Sequence, residues 1–112
     1  MNLNLMKRIA SKSPHDKYQH CTLIFAGSRL IATGYNTKDR HSEIVAIRKL
    51  EAWLRNSNTQ RPKNLHLVNM MVRKNTGKFG NSKPCDDCWK AIRIALINRV
   101  TFVTEKGYVV QV

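Results

Sequence analysis

Two cysteines three positions apart, Cys85 and Cys88, stand in the segment KPCDDCW. In the first turn of a helix, side chains at i and i+3 point the same way, so both thiolates can bind one metal ion. The positive end of the helix dipole favours the thiolate forms. Two thiolates do not complete a zinc site, so a further ligand must come from elsewhere in the chain. The candidates are His15, His20, Cys21, His41 and His66.

His41 is the strongest of these candidates because it stands at the start of a predicted helix, directly after a predicted strand and loop. Helices that follow parallel strands begin at the same edge of an α/β sheet, where ligand sites form. Glu43, two residues further on, can face a water on the metal without binding the metal. Three protein ligands and one open position are typical of a catalytic zinc rather than a structural one.

The segments HSE and PCDDC together resemble the H-x-E and P-C-x-x-C signature of the zinc-dependent cytidine and deoxycytidylate deaminase superfamily. Either segment alone is a weak signal, but each opens a predicted helix and a predicted strand lies between them. The resemblance implies that His41, Cys85 and Cys88 bind Zn²⁺. It also implies that Glu43 is the proton shuttle of the reaction.

Three positions near these motifs bear on the substrate. Asn36, which ends the strand in GYN, resembles the asparagine with which many family members hold the substrate sugar. Lys83 stands before the proline at the expected pocket wall, where a basic side chain can meet a phosphate. Ser42 departs from the family pattern, in which alanine is commoner at this position, and only its backbone is expected to matter.

Helices and strands alternate along the chain. The apolar spacing predicts helices over residues 3–11, 42–56 and 86–98, and strands over YQHCTLIFA, RLIATGYN, LHLVNMMV and the two halves of RVTFVTEKGYVVQV. Helices separated by strands imply a three-layer α/β/α domain over residues 1–112, with a mixed five-stranded sheet and a C-terminal antiparallel hairpin. The family resemblance implies the same fold.

Basic residues dominate the charge of the chain. Twenty Lys and Arg stand against seven Asp and Glu, which gives a net charge of +13. This excess suggests a polyanionic partner, most simply nucleic acid; a basic surface kept for solubility is the alternative. Six basic groups are expected around the pocket mouth and fit a nucleic-acid backbone better than a mononucleotide: Lys38, Arg40, Arg73, Lys74, Lys78 and Lys83. Phe79, in the loop before the cysteines, is a candidate for stacking on a flipped base.

Two features point to different substrates. The histidine ligand resembles family members that act on nucleotides or polynucleotides, whereas the terminal hairpin resembles the free-cytidine branch. The leading hypothesis is a deaminase converting cytosine to uracil in single-stranded or locally opened DNA or RNA. A deaminase of free (deoxy)cytidine or dCMP is the second hypothesis. A non-catalytic nucleic-acid-binding protein with a structural zinc is the third, and Cys21 close to the metal would favour it by closing the site.

Cysteine usage and hydropathy indicate the cellular compartment in which the protein is expected. Three cysteines are an odd number, and MNLNLMKRIA lacks the apolar region of a secretory signal. No run approaches the roughly 18 apolar residues that span a bilayer. We therefore expect a protein of the reducing cytoplasm with no membrane partner, and we leave a homo-oligomer open.

Overall fold

The computed structural model describes residues 3–57, 60–107 and 109–111. Within these ranges the order of elements agrees with the prediction. No helix in the described residues is long and apolar enough to cross a membrane. The elements are α1 (Leu3–Ala10), β1 (Tyr18–Ala26), β2 (Arg29–Tyr35), α2 (Ser42–Ser57), β3 (Leu65–Arg73), α3 (Asp86–Ile94), β4 (Arg99–Val103) and β5 (Val109–Gln111).

The five strands form one mixed sheet in the order β2-β1-β3-β4-β5. β3 and β4 pair in parallel, and every other neighbouring pair is antiparallel. Because β1 lies between β2 and β3 and is antiparallel to both, β2 and β3 run in the same direction. Their carboxyl ends therefore lie at one edge of the sheet, from which the chain continues into α2 and α3.

The helices cover both faces of the sheet. α2 and α3 pack on the face that carries Ile24 of β1, which we call the α2/α3 face. α1 packs on the opposite face, where Met6 and Ala10 contact a cluster that includes Leu23 of β1; we call this the α1 face. Successive residues of a strand point to opposite faces, so neighbouring residues of β1 serve different cores. The predicted three-layer α/β/α fold with a mixed five-stranded sheet and an antiparallel β4–β5 hairpin is confirmed.

α3 is shorter than the predicted helix over residues 86–98. It ends at Ile94, and Leu96 adopts a left-handed conformation with φ of 59°. The amide of Ile97 donates to the carbonyl of Ile92 at 3.2 Å, which is the hydrogen bond of a Schellman cap with leucine at the usual glycine position. Asn98 already accepts a hydrogen bond from the first amide of β3 at 3.0 Å. The apolar spacing overestimated the helix because the chain must turn here to enter the sheet.

α2 lies unusually close to β2 at Gly34. A Cβ atom on Gly34 would stand 2.5 Å from the carbonyl oxygen of Ser42 and 2.8 Å from the amide nitrogen of Ala46. Both of these are backbone atoms, so a side chain cannot be accommodated by rotation of a neighbour. The absence of a side chain at Gly34 therefore sets the height of the α2 start above the sheet.

Candidate metal centre and its pocket

The three predicted metal ligands come from the starts of two different helices. His41 directly precedes α2, Cys85 is the N-cap of α3, and Cys88 lies in the first turn of α3. β2 and β3 deliver both helix starts to the same edge of the sheet. The structure therefore brings together side chains from two distant segments of the chain.

The ligand atoms lie at distances that suit a single ion. Nδ1 of His41 is 3.3 Å from Sγ of Cys88 and 3.6 Å from Sγ of Cys85. The three ligand atoms all lie within 4.8 Å of one another. A tetrahedral zinc with bonds of about 2.3 Å to sulfur and about 2.0 Å to nitrogen places its ligand atoms roughly 3.6 Å apart. The cluster can therefore bind a metal ion, and its donor set fits zinc.

The surroundings of Cys88 also fit a cation. Burial raises the pKa of the Cys88 thiol, and the neighbouring Glu43 carboxylate and Cys85 raise it further. A metal cation opposes this effect, because positive charge stabilises the thiolate form that serves as a ligand. A buried thiol beside a carboxylate is thus an environment that a divalent ion would stabilise.

Glu43 lies beside this cluster and is only 5% exposed. Among the described residues it is not a member of the three-ligand group. Its Oε1 lies 3.2 Å from Oγ of Ser42, and its side chain faces the thiol of Cys88. The carboxylate is therefore close to the metal ligands and remains available for proton transfer.

A cavity of about 450 Å³ borders His41, Glu43 and Cys85. This volume falls within the range of roughly 300–1,000 Å³ that small-molecule sites occupy. Four of the predicted substrate-binding residues line the same cavity: Asn36, Lys38, Arg40 and Lys83. The cavity therefore joins the candidate metal centre to the basic residues predicted to meet a substrate.

Asn36 is fixed at the cavity wall by the backbone of β1. Its Oδ1 accepts from the amide of His20 at 2.8 Å, and its Nδ2 donates to the carbonyl of Tyr18 at 3.0 Å. An amide group has a further lone pair and a further N–H hydrogen beyond these two bonds. Asn36 can therefore contact a ligand without releasing β1.

Phe79 lies outside this cavity. Its ring packs against the hydrophobic cluster of the α1 face, and Nζ of Lys7 lies over the ring at 4.8 Å from the centroid. The backbone of Phe79 bridges to Val72 of β3. This position does not support the expected stacking on a flipped base, because the ring is part of the opposite layer.

Three of the six basic residues expected at the pocket mouth are also not on the cavity wall: Arg73, Lys74 and Lys78. They belong to the turn over residues 73–78, which the bridge between Val72 and Phe79 closes. Arg73 instead faces Glu105, at 4.0 Å. The basic groups that line the cavity are therefore three rather than six.

His15, Tyr18 and His20 line the cavity as well, although no motif marks them. Nδ1 of His15 accepts from the amides of Lys17 and Tyr18 at 3.1 and 3.0 Å, so the neutral imidazole carries its hydrogen on Nε2. Burial lowers the pKa of His20, and the Glu43 carboxylate partly offsets this effect. The sequence offers His15 and His20 only as alternative metal ligands, and among the described residues neither belongs to the three-ligand group. Their place at the cavity depends on how β1 and the segment before it lie beside Asn36.

Cys21 and His66 lie on the α1 face, away from the cavity. Cys21 is fully buried in the cluster with Met6 and Ala10, and burial raises the pKa of its thiol to about 12. Nε2 of His66 lies 2.7 Å from Oγ1 of Thr101, so this strand histidine has a hydrogen-bond partner. Because the sheet separates Cys21 from the candidate metal centre, Cys21 does not complete it as a fourth ligand.

No protein-family model matches this sequence, and no curated protein matches it either. The structure is similar to the 1.6 Å crystal structure of cytidine deaminase from Burkholderia pseudomallei, with a TM-score of 0.67. The alignment covers 100% of this chain and 92% of that chain, at 15% sequence identity. The likeness extends over the whole chain and shows that the two proteins share a fold.

Proposed function

We propose that this protein is a zinc-dependent hydrolytic deaminase that converts cytosine to uracil. One observation carries the proposal: the sulfur atoms of Cys88 and Cys85 lie 3.3 and 3.6 Å from Nδ1 of His41, at a cavity that the buried Glu43 also borders. A purely structural zinc has four protein ligands, and here the described residues supply three. The cytidine deaminase-like fold supports the same conclusion.

Zinc bound by His41, Cys85 and Cys88 would supply a Lewis acid that makes water acidic enough to react near neutral pH. Two thiolates and one neutral imidazole cancel the charge of the ion, so an efficient base is needed close by. Glu43 takes a proton from the attacking water and delivers it to N3 of the pyrimidine as oxygen adds to C4. It then takes the second proton from the hydroxyl group on C4 and delivers it to the amino group as the C4–N4 bond breaks, which releases ammonia and leaves the C4 carbonyl of uracil.

Replacing Glu43 tests this role. Glu43→Ala and Glu43→Gln are expected to retain zinc, since Glu43 is not one of the three clustered ligands, and to lose at least about 10²-fold in turnover. Glu105→Gln, at an exposed acid in the turn after β4 and outside the cavity lining, is the matched control and should keep wild-type turnover. Bound zinc and released ammonia are measured on the same preparations. Unchanged turnover in Glu43→Ala would remove Glu43 from the mechanism.

Single-stranded or locally opened DNA or RNA is the substrate that we favour. Lys38, Arg40 and Lys83 are exposed and line the cavity, and the chain carries a net charge of +13. Several cations beside a base-sized cavity suit a phosphate backbone that continues past the reacting nucleotide. Free (deoxy)cytidine or dCMP is the second candidate, which the likeness to a cytidine deaminase favours, along with the reduced number of basic residues on the wall.

A pair of double variants separates these substrates. Arg40→Ala/Lys83→Ala removes two charges from the cavity wall, whereas Lys74→Ala/Lys78→Ala removes two charges from the turn outside it. If a nucleic-acid strand binds across the cavity, its binding constant falls as salt rises, with a slope of about −0.7 in log K against log salt for each phosphate contact. Loss of two contacts in the first variant should therefore make this slope shallower by about 1.4. The second should change it little.

Uracil formation is then compared for cytidine, dCMP, single-stranded DNA and single-stranded RNA. Conversion of the small molecules alone would reject the polynucleotide hypothesis in favour of the second candidate. If both double variants lost the same affinity for nucleic acid, binding would depend only on the overall charge of the protein and not on the cavity wall.

A further inference from the structure

A continuous chain of buried polar side chains connects Glu43 to the loop before Cys85, across the α2/α3 face of the sheet. Its four members are 0–2% exposed: Thr22, Ser42, Asn69 and Ser82. Burying hydroxyl and amide groups beneath a helix is unfavourable unless each group finds a partner. Every buried side-chain nitrogen or oxygen in the described residues has one.

The contacts follow one another without a gap. Oε1 of Glu43 lies 3.2 Å from Oγ of Ser42, which lies 2.7 Å from Oγ1 of Thr22. Thr22 donates to Oδ1 of Asn69, its direct partner in the β1–β3 ladder. Nδ2 of Asn69 donates to the carbonyl of Ser82 at 3.2 Å. Ser82 stands three residues before the first cysteine ligand.

The far end of the chain is anchored to the sheet. Oγ of Ser82 lies 3.0 Å from the carbonyl of Asn69 and accepts from the amide of Val103 at 2.9 Å. The amide of Ser82 donates to the carbonyl of Val103 at 3.0 Å. The loop that leads to the cysteines is therefore tied to both β3 and β4.

The hydroxyl of Ser42 has two possible hydrogen-bond acceptors. Oδ1 of Asn69 can only accept, so the hydrogen of Thr22 points to Asn69 in this hydrogen bond. Ser42 has one hydrogen and two oxygen neighbours, Thr22 and Glu43. It can donate to Thr22 or to the carboxylate of Glu43, and it lies within hydrogen-bond distance of both. Ser42 therefore links Glu43 to the polar side chains on the sheet.

We infer that Ser42, held by Thr22 and Asn69, is a positioning residue that fixes the carboxyl group of Glu43 relative to the cysteine loop. The inference rests on the proposed function for its catalytic consequence. It gives a role to the hydroxyl of Ser42, which the sequence motif treats as replaceable by alanine. These hydrogen bonds also connect the start of α2 with the loop before Cys85, independently of any metal ion.

A matched pair of substitutions at Thr22 tests the inference. Thr22→Val keeps the shape of the side chain and removes the hydroxyl, whereas Thr22→Ser keeps the hydroxyl and removes a methyl group. In Thr22→Val and in Ser42→Ala, kcat is expected to fall about 10- to 100-fold, the effect of one hydrogen bond in a chain that ends on a charged group. KM should stay within about twofold, because neither side chain lines the cavity. Thr22→Ser should recover most of the loss.

The double variant Ser42→Ala/Thr22→Val adds a second criterion. Since both residues act through one chain, its kcat should resemble that of the single variants rather than the product of their losses. Multiplicative losses, or equal kcat for Thr22→Val and Thr22→Ser, would overturn the inference. A merely structural role would lower the melting temperature without this pattern in kcat.

Unfolding measurements make the test independent of turnover. Ser42→Ala, Glu43→Gln and their double variant form a cycle in the free energy of unfolding, measured on the full chain without substrate. Non-additive effects are expected if Ser42 holds the carboxyl group, and additive effects would overturn the inference. If the wild-type protein makes uracil from no substrate, the proposed function fails, and this cycle still decides whether Ser42 positions Glu43.

Discussion

Gly34→Ala is expected to disrupt the candidate site from beneath, without touching any residue that lines the cavity. The added Cβ would lie 2.5 Å from the carbonyl oxygen of Ser42, whereas ordinary van der Waals contact begins near 3.4 Å. The start of α2 must therefore retreat from β2 by about 0.9 Å. This retreat would carry His41 and Glu43 with it while Cys85 stays in place on the other helix.

The size of the effect follows from this displacement. Overpacking of this kind costs about 1–3 kcal/mol, which corresponds to a fall of roughly 5–20 °C in melting temperature for a domain of this size. A shift of about 1 Å in a catalytic group can reduce turnover by about 10²-fold. Zinc affinity should fall as well, because the imidazole moves relative to both thiolates.

Thermal unfolding, zinc titration and turnover of Gly34→Ala measure these three effects. Gly80→Ala is the matched control, because the short contacts of a Cβ added at Gly80 would be with the terminal atoms of the Met71 side chain, which can rotate away, rather than with backbone. Its turnover and zinc affinity should stay near wild type. If Gly34→Ala retained wild-type zinc affinity and turnover, the close approach of α2 to β2 would not control the geometry of the site.

Three further outcomes are expected. Cys88→Ser should abolish stoichiometric zinc binding, whereas Cys21→Ser should retain it and lose stability, because the sheet separates Cys21 from the metal ligands; zinc content by metal analysis distinguishes the two. Burial lowers the pKa of His66, so the stabilisation from keeping this histidine neutral is present above pH 6.5. That stabilisation is lost as the pH falls through the lowered pKa. The melting temperature of His66→Gln should therefore fall less between pH 7 and pH 5 than that of the wild type. Leu96→Gly should raise the melting temperature by a few degrees and leave the zinc content unchanged. The left-handed conformation of Leu96 costs a residue with a side chain about 1 kcal/mol, which glycine avoids. Little packing is lost, because Leu96 is largely exposed.

The clustering of His41, Cys85 and Cys88 was predictable from the sequence because each of them lies at the start of a helix. Spacing within PCDDC fixes two ligands on one helical turn, and the position of His41 after a strand places it at the same sheet edge. The partners of Thr22 and Asn69 were not predictable in this way. Both are polar residues in strongly apolar strands, but the contact between them depends on the register of β1 against β3.

The lining of the cavity was less predictable from the sequence, for a local reason. The sequence marks no boundary within residues 73–83, so it predicts all four basic residues of this loop, and Phe79, close to the pocket mouth. The bridge between Val72 and Phe79 divides this loop into a tight turn and a separate strand-like segment. Only Lys83, beyond that division, reaches the cavity wall.

The central ladder between β1 and β3 joins residues that lie far apart in the chain, and we expect this separation to limit the folding rate. It pairs Ala26 with Leu65 and Tyr18 with Arg73, which are 39 and 55 positions apart in the chain. Such non-local pairing forms slowly, since a long loop must close before any contact compensates for the lost entropy. His41 and the two cysteines lie beyond the ends of β2 and β3, so we expect them to come together only after this ladder has formed. Zinc would therefore act after the rate-limiting step, so chelation should speed unfolding and leave the folding rate nearly unchanged.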